Sequence, residues 1–541
     1  MKMVTVVGSV SHAKGKPIQR RLLSLPQMLD QTVRQHGDRT AVQFYETEIS
    51  YRKLQDLSRL AAGAFRRLGV KKGDRIGLML PNCPQYVVAF YGILRCGAIV
   101  VQVNPMYTKR EIEFVLQDSG ADVLIVFGDL YSRFKKTNLF SRLRKVVVVK
   151  PDESVFPGLA QNTVSWDNLL AGTSFMADDE PIDPERDVAV FQYTGGTTGR
   201  SKGAMLTHFN LVTNVLQLND HSRGNSLTET DRILIAIPLF HIYGMTCAMN
   251  LGILNGSTII LLSRFEPLEV LQTIKKYRPT CFPGVPTMYV ALNSYPKAEQ
   301  YGIDSIRICN SGSAPIPVEL IQSFEKKTGA SMYEGYGLSE ASPTTHNTPR
   351  TGQKKPGSVG IPLPGTEARI VDLKTGTETL PIGEAGELVI RGPQVMKGYW
   401  NMPEETKQAI RDGWLFTGNI ARMDQDGFFY IVDRKKDLII ASGYNIYPRE
   451  IEEVLYTHPA VMEAAVVGVT DPYRGETVKA FIVLKPEAQV TGKEIEQFCR
   501  RNLAPFKVPK QIEFRKSLPK TAVGKILRRV LAEEEKKRNG N

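Results

Sequence analysis

Residues 187–203 read Asp-Val-Ala-Val-Phe-Gln-Tyr-Thr-Gly-Gly-Thr-Thr-Gly-Arg-Ser-Lys-Gly, and His208-Phe-Asn-Leu-Val-Thr-Asn-Val-Leu follows within five residues. The apolar run of the first stretch predicts a buried strand, and the second a helix. Between them lies a loop of glycines, hydroxyls and a cation. Glycines let backbone N–H groups come close to an oxyanion, hydroxyls add donors and Lys202 adds positive charge, so the composition suits the β and γ phosphates of a nucleotide. No G-x-x-x-x-G-K-[ST] occurs in the chain, so this is not a Walker A loop. Taken alone, a flexible surface turn would explain the same residues.

Outward from this stretch, helical periodicity marks Leu25–Gly37 and Tyr51–Leu68, and REIEFVLQDSG also reads as helix. KKGDRIGLML reads as a loop and buried strand; GADVLIVF and RLRKVVVVK read as further buried strands. Apolar strands alternating with helices predict an α/β fold with mostly parallel sheets. From Pro356 the texture changes to short strands with Gly/Pro turns (GIPLPGTEARIVD, GELVIRGP, GFFYIVD), a smaller β-rich subdomain. After Asp433-Arg434-Lys435-Lys436-Asp437 the alternation returns, with PREIEEVLYTHP helical and EAAVVGV and KAFIVL as strands. The expected organisation is a large N-terminal body over 1–432 and a small mobile α+β C-terminal domain over 433–541.

The chain has 541 residues, 42% apolar and 23% charged, the balance of a folded globular protein of two to four domains. Its six cysteines form no C-x-x-C pair or metal-ligand cluster, which reads as a reducing cytosol. No run approaches a membrane-spanning length, and the opening MKMVTVVGSV is interrupted too soon by His12, Lys14 and Lys16 for a signal peptide. A cytoplasmic protein is expected. Net charge is +13, and residues 501–530 hold nine Lys/Arg against one acid, Glu513. Such a strip would attract a polyanion, yet no nucleic-acid-binding signature accompanies it.

Four further segments carry chemistry: Tyr333-Glu-Gly-Tyr-Gly-Leu-Ser-Glu340; Asp412-Gly-Trp-Leu-Phe-Thr-Gly-Asn419, followed by Ile431-Val-Asp-Arg-Lys-Lys-Asp437; Ser442-Gly-Tyr-Asn-Ile-Tyr-Pro-Arg449; and Pro519-Lys-Thr-Ala-Val-Gly-Lys-Ile526. Glycines on both sides of Tyr336 would expose its ring to a flat base, and Glu340 would suit Mg²⁺. With the Gly/Thr loop, the ordered set resembles the adenylate-forming superfamily of acyl-CoA synthetases, adenylation domains and beetle luciferase, over roughly Leu25 to Arg529.

The resemblance implies activation of a carboxylate with ATP and Mg²⁺ to an acyl-adenylate, then transfer to a thiol. It assigns Thr194, Gly195, Gly196, Thr197, Thr198, Gly199 and Lys202 to the phosphate loop, and Ser339 and Glu340 to the α-phosphate and the metal. Gly312, Ser313 and Ala314 would line the adenine pocket, with Tyr336 stacked on the base and Gly337 beside it. Arg434 would reach the ribose, and Lys525 would be the catalytic lysine. The C-terminal domain would swing about Asp433 to place Gly443 along the tunnel for CoA, whose phosphates are candidate ligands of the basic strip. His241, where the family has an aromatic residue between acyl pocket and thiol tunnel, suits gating or positioning better than proton transfer. Asn419 departs from the family's aspartate, and the loss of one charge-assisted bond to the ribose implies weaker ATP binding.

The acyl pocket is expected from Ile242–Met245, Phe282–Tyr289 and Gly337–Ser339. These segments contain no Arg or Lys, which argues against a malonate-type acid and for an aliphatic tail. VNPMYTKREIEFVLQDSGADVLI and PLFHIYGM look most like bacterial medium- and long-chain fatty acid–CoA ligases. An arylpropenoate (coumarate-type) ligase and a stand-alone adenylation enzyme loading a carrier protein are the alternatives, and a non-catalytic ligand sensor finds its only support in Asn419. The partners implied are a fatty acid, ATP and CoA, with no nucleic acid. Peripheral contact with the inner membrane face and homodimerisation stay open.

Overall fold

A computed structural model describes residues 4–6, 10–135, 137–149, 161–175, 178–194, 201–441, 444–471, 475–521 and 524–539. Two large mixed sheets form the body. The eight-stranded sheet carries a parallel centre that includes Arg75–Met79, Ile99–Gln102, Val123–Phe127 and Lys145–Val149. These strands are apolar almost throughout, as strands covered on both faces must be. The nine-stranded sheet has a parallel centre through Thr40–Phe44, Thr258–Leu261, Arg232–Ile235, Cys281–Gly284, Ile308–Ser311 and Ser331–Gly337.

Side chains from both sheets enter one core, and the helix Pro84–Arg95 lies within it, buried on nearly every side. A helix apolar all round belongs in such a place. The predicted helices form as Leu25–His36 and Tyr51–Arg67. Ser24 accepts from Gln27 N while the Gln27 side chain accepts from Ser24 N, a capping box that fixes where the first begins. Arg95, fully buried, is compensated by Asp30, Asp179 and Ser58.

The β-rich unit is an antiparallel sheet of seven strands that includes Glu367–Val371, Gly386–Arg391, Trp414–Met423 and Phe429–Arg434. Its far edge is not from this region. Val4–Val6 and His12–Gly15 complete it, with His12 paired to Arg369. The sequence carries no local signal for a pairing between segments more than 350 residues apart, so the N-terminal strands escaped the reading.

The C-terminal region forms a five-stranded sheet of Ile439–Ala441, Tyr444–Ile446, Val461–Asp471, Gly475–Leu484 and Gln511–Phe514. Helices Pro448–Tyr456, Gly492–Asn502 and Arg528–Asn539 accompany it. Its apolar clusters contain only residues from Ile439 onward, so it has a core of its own. Among the described residues no helix is long and apolar enough to cross a membrane.

Candidate active site

Thr194 and Lys202 face each other at the mouth of an antiparallel hairpin, Val188–Thr194 with Lys202–Thr207. This corrects the expected strand–loop–helix order: Lys202 opens a strand, and the helix His208–His221 starts after it. The reason is tertiary, because Lys202–Thr207 pairs with Val188–Thr194 on one side and with Gly398–Tyr399 on the other. The Ser201 hydroxyl donates to the Thr194 carbonyl at 2.6 Å and closes the hairpin. Gly195, Gly196, Thr197, Thr198 and Gly199 lie outside the described residues.

Tyr399, which the sequence reading missed, joins two predicted site residues. The Lys202 ammonium stands 5.0 Å over its ring, and its hydroxyl donates to Glu340 Oε1 at 2.8 Å. Burial holds the phenol well above its ordinary pKa, so it remains a donor. Ser339 and Glu340 form a short 3₁₀ turn directly after the strand Ser331–Gly337. The Gly398-Tyr399 pair within MKGYW, just before a helix begun by Pro403, was the only signal for Tyr399.

The glycines flanking Tyr336 serve packing more than exposure of the ring. A Cβ on Gly337 would stand 2.3 Å from the Pro343 carbonyl, so only glycine permits the approach of that chain. The Tyr336 hydroxyl accepts from Asn419 Nδ2 at 2.9 Å, and the same nitrogen donates to the Thr417 carbonyl at 2.9 Å. Asn419 therefore uses both amide hydrogens within the protein and presents Oδ1 alone. Arg434 lies opposite Asn419 in the antiparallel register. Glu387 secures this corner, accepting from Gly418 N at 3.1 Å and pairing with Lys435 at 2.9 Å. Gly312, Ser313 and Ala314 follow the strand Ile308–Ser311, line the same cleft, and turn through a left-handed Ser313 with φ 67°. Glu334, buried beside them, is pushed up to about 7 by desolvation.

His241 borders the apolar end of the cleft, just before a π-helical segment, Tyr243–Asn250. Its Nδ1 accepts from Tyr243 N at 3.2 Å, which leaves the ring proton on Nε2. Burial lowers its pKa to about 4, so it is neutral near pH 7. The cavity beyond is lined by Ile233, Tyr243, Cys247, Leu251, Cys281 and Pro283. Of the expected pocket residues, Ile242, Tyr243, Pro283, Pro286, Thr287 and Gly337–Ser339 line the cleft. Met245, Phe282 and Tyr289 are core residues instead. In the strand Cys281–Gly284 successive side chains take opposite faces, so Phe282 points away from the cavity that Cys281 and Pro283 line.

Lys525 opens onto the same cleft, which measures about 3390 Å³ and is far too large for one small ligand. Its N–H donates to the Thr521 hydroxyl at 3.1 Å and its carbonyl accepts from Thr521 N at 2.8 Å. Gly524, at φ 71°, touches the body: a Cβ there would fall 2.4 Å from the Thr287 hydroxyl. Three residues on, Arg528 pairs with Asp433 at 3.0 Å, Asp437 at 3.1 Å and Glu452 at 2.5 Å. Asp433 also accepts from the N–H groups of Arg434 at 2.7 Å and Arg449 at 2.8 Å. Gly443 lies outside the described residues.

The basic strip is less free than its sequence suggests. Lys507, Arg515, Lys520, Arg528 and Arg529 all pair with carboxylates of the C-terminal region. Among the described residues Arg501, Lys510, Lys516 and Lys525 have no such partner. All six cysteines are free thiols, five of them buried. No group of three or more His, Cys, Asp or Glu that could hold a metal occurs among the described residues.

A hairpin mouth with a lysine, an aromatic and carboxamide corner, and a lysine loop from a second core around one cleft define a class. The profile described as AMP-binding enzyme matches residues 29–400, and that described as AMP-binding enzyme C-terminal domain matches residues 450–525. The chain belongs to the AMP-binding enzyme family. It is 47% identical over 536 residues to the long-chain-fatty-acid–CoA ligase of Bacillus subtilis (strain 168), covering 95% of this chain and 94% of the relative. It is 39% identical to a feruloyl-CoA synthase of an Amycolatopsis species, covering 90% and 94%. Among solved structures, the anthranilate CoA ligase AuaEII in complex with anthranoyl-AMP aligns with a TM-score of 0.89 at 28% identity, covering 97% and 99%.

Proposed function

We propose that this chain is an ATP-dependent, AMP-forming ligase that activates a fatty acid as its acyl-adenylate and transfers the acyl group to CoA. One observation carries the reading: Lys202, Glu340, Tyr336, Asn419, Arg434 and Lys525 surround a single cleft that continues past His241 into an apolar cavity. The relatives at 39–47% identity over nearly the whole chain supply the acid and the thiol.

In the first half-reaction a carboxylate oxygen attacks the α-phosphorus, and the bond to pyrophosphate breaks. Tyr336 faces the base; Oδ1 of Asn419 accepts from a ribose hydroxyl, and Arg434 stands beside it. Thr194, the loop 195–199 and Lys202 take the departing phosphates. Lys525 holds the entering carboxylate against the α-phosphate, and its charge offsets the negative charge that develops there. Glu340 suits Mg²⁺, an ion usually bound by one or two carboxylates together with substrate phosphates. The ion supplies Lewis-acid stabilisation of the phosphate oxygens.

In the second half-reaction the CoA sulfur attacks the acyl carbonyl and AMP departs. The region from Asp433 onward turns to withdraw Lys525 and to present Gly443 to the thiol. Neutral His241, with Nδ1 already accepting a backbone hydrogen bond, acts as a wall between the acyl cavity and the sulfur's approach. A panel of fatty acids of increasing length, with cinnamates, scored for CoA-dependent AMP formation tests the proposal. Turnover of fatty acids in the absence of any carrier protein is expected. Turnover of cinnamates alone would move the substrate to the aryl class, and release of pyrophosphate without acyl-CoA would replace CoA by a carrier.

A further inference from the structure

The apolar cavity ends at a cation. Along the nine-stranded sheet, the lining residues Ile233, Cys281, Pro283 and Asn310 share one parity: Ile233 pairs with Cys281, and Pro283 with Asn310. Gly284 and Ser311 end their strands at the nucleotide side, and Cys281 lies three residues back, about 10 Å deeper at strand rise. Arg350 lies there. It lines the same cleft, stacks over the Tyr333 ring at 4.0 Å and stands close enough to act on the charge of the Cys281 thiol.

Among the described residues its partner is Tyr333, by ring and hydroxyl, and no carboxylate balances its charge. Arg95, Arg449 and Arg528, arginines set well into the fold, each hold one or more carboxylates. Arg350 has no ion pair among the described residues, and its Nη1 is buried with no hydrogen-bond partner. Burial lowers its pKa, a sign that the cation is poorly solvated there. A buried charge is ordinarily paired, and an aromatic ring offsets only part of its desolvation.

We propose that Arg350 reads the far end of the acyl chain, and that the enzyme accepts α,ω-dicarboxylic acids whose remote carboxylate pairs with the guanidinium. The planar fork of arginine matches a carboxylate through two parallel hydrogen bonds, which a methyl end cannot provide. This rests on the ligase reading above and sharpens its substrate class. Arg350 belongs to the loop after strand Thr344–Asn347, outside every segment from which the pocket was expected, so the absence of a cation from those segments does not decide the matter.

The test compares matched acids in CoA-dependent AMP formation: octanoate with octanedioate, dodecanoate with dodecanedioate, and hexadecanoate with hexadecanedioate. Wild type, Arg350→Met and Arg350→Lys are assayed, with thermal midpoints as a control for folding. At the length that spans the cavity, Arg350→Met is expected to lower kcat/KM for the diacid by roughly 10- to 100-fold while leaving the monoacid equal or improved. Arg350→Lys, which keeps the charge without the fork, should fall between, and it decides the question if the methionine variant does not fold. A diacid-to-monoacid ratio unchanged by either substitution at every length would overturn the proposal. Failure of the wild type on all six acids would overturn the ligase reading instead.

Discussion

Tyr336, Asn419 and Arg434 stand on strands whose partners are fixed residue by residue, whereas Lys525 stands on a loop closed by two hydrogen bonds to Thr521. The first group sits in two sheets of the body, Tyr336 in the nine-stranded sheet and Asn419 and Arg434 in the seven-stranded one. The second belongs to a region with its own core, tied back at Asp433 by Arg528 and touching the body at Thr287. On the proposed mechanism, the groups that meet the nucleotide stand where the backbone cannot shift, and the group that leaves between half-reactions stands where few bonds need to break.

The largest effect should come from the movable side. Lys525→Ala is expected to slow adenylate formation, read as carboxylate-dependent pyrophosphate release, by roughly 10²–10³-fold. Thiolysis of an acyl-adenylate supplied from outside should be nearly unchanged. Equal loss in both assays would mean that the two walls do not divide the chemistry between them.

On the fixed side, Tyr399→Phe removes the hydrogen bond to Glu340 but keeps the ring beneath Lys202. A hydrogen bond to a charged group contributes about 1.5–3 kcal/mol, so adenylation should fall roughly tenfold or more and need more Mg²⁺ for saturation. An unaltered Mg²⁺ dependence would remove Tyr399 from the site. Asn419→Asp restores a charged acceptor at a gain of about 1–3 kcal/mol, against roughly 1 kcal/mol for the lost bond to the Thr417 carbonyl. KM for ATP should drop a few-fold and the thermal midpoint should fall slightly; an unchanged KM would show that the ribose lies elsewhere.

The smallest effect separates the two regions by acid. His208, His221 and His346 lie in the body, and burial lowers their pKa to about 3, 4 and 3. Unfolded, each binds its proton near 6.5, so between about pH 6.5 and pH 4 the unfolded chain holds more protons and stability falls as pH falls. Above pH 6.5 this contribution is fully present. The slope is up to about 1.4 kcal/mol per pH unit for each histidine. In the C-terminal region Glu513 is depressed to about 2, against desolvation, by Lys479 and Arg515, so its contribution is lost only as pH falls from about 4.5 toward 2. Trp166, Trp400 and Trp414 all lie in the body, so urea titrations followed by tryptophan fluorescence at pH 7.5 and 5.5 report on it. The body should weaken over that interval, and His346→Gln should flatten the slope; an identical slope would show that His346 is not buried neutral.

Much of this was legible before any coordinates. Periodicity located Leu25–His36, Tyr51–Arg67 and Lys109–Ser119 within a residue or two, and the strands Val123–Phe127 and Lys145–Val149 within three, because apolar spacing is a local property. The ordered motifs placed Lys202, Glu340, Tyr336, Asn419, Arg434 and Lys525, and the structure gathers them at one cleft. The hairpin after Thr194 was misread as a loop opening a helix, since Lys202–Thr207 becomes a strand only through partners distant in sequence. Tyr399, Glu387 and Arg528 were missed because a hydrogen bond or ion pair across 30 to 100 residues leaves no local pattern.

The order of apolar and polar residues along this chain determined its layers, the five chemical segments and the kind of ligands they suit, because those depend on neighbours within a turn or a strand. Which strand meets which, what each charge finds as a partner and where Arg350 comes to rest depend on contacts between residues far apart in the chain. Only the folded chain decided those, since burial and pairing are properties of a residue's surroundings and not of its spacing.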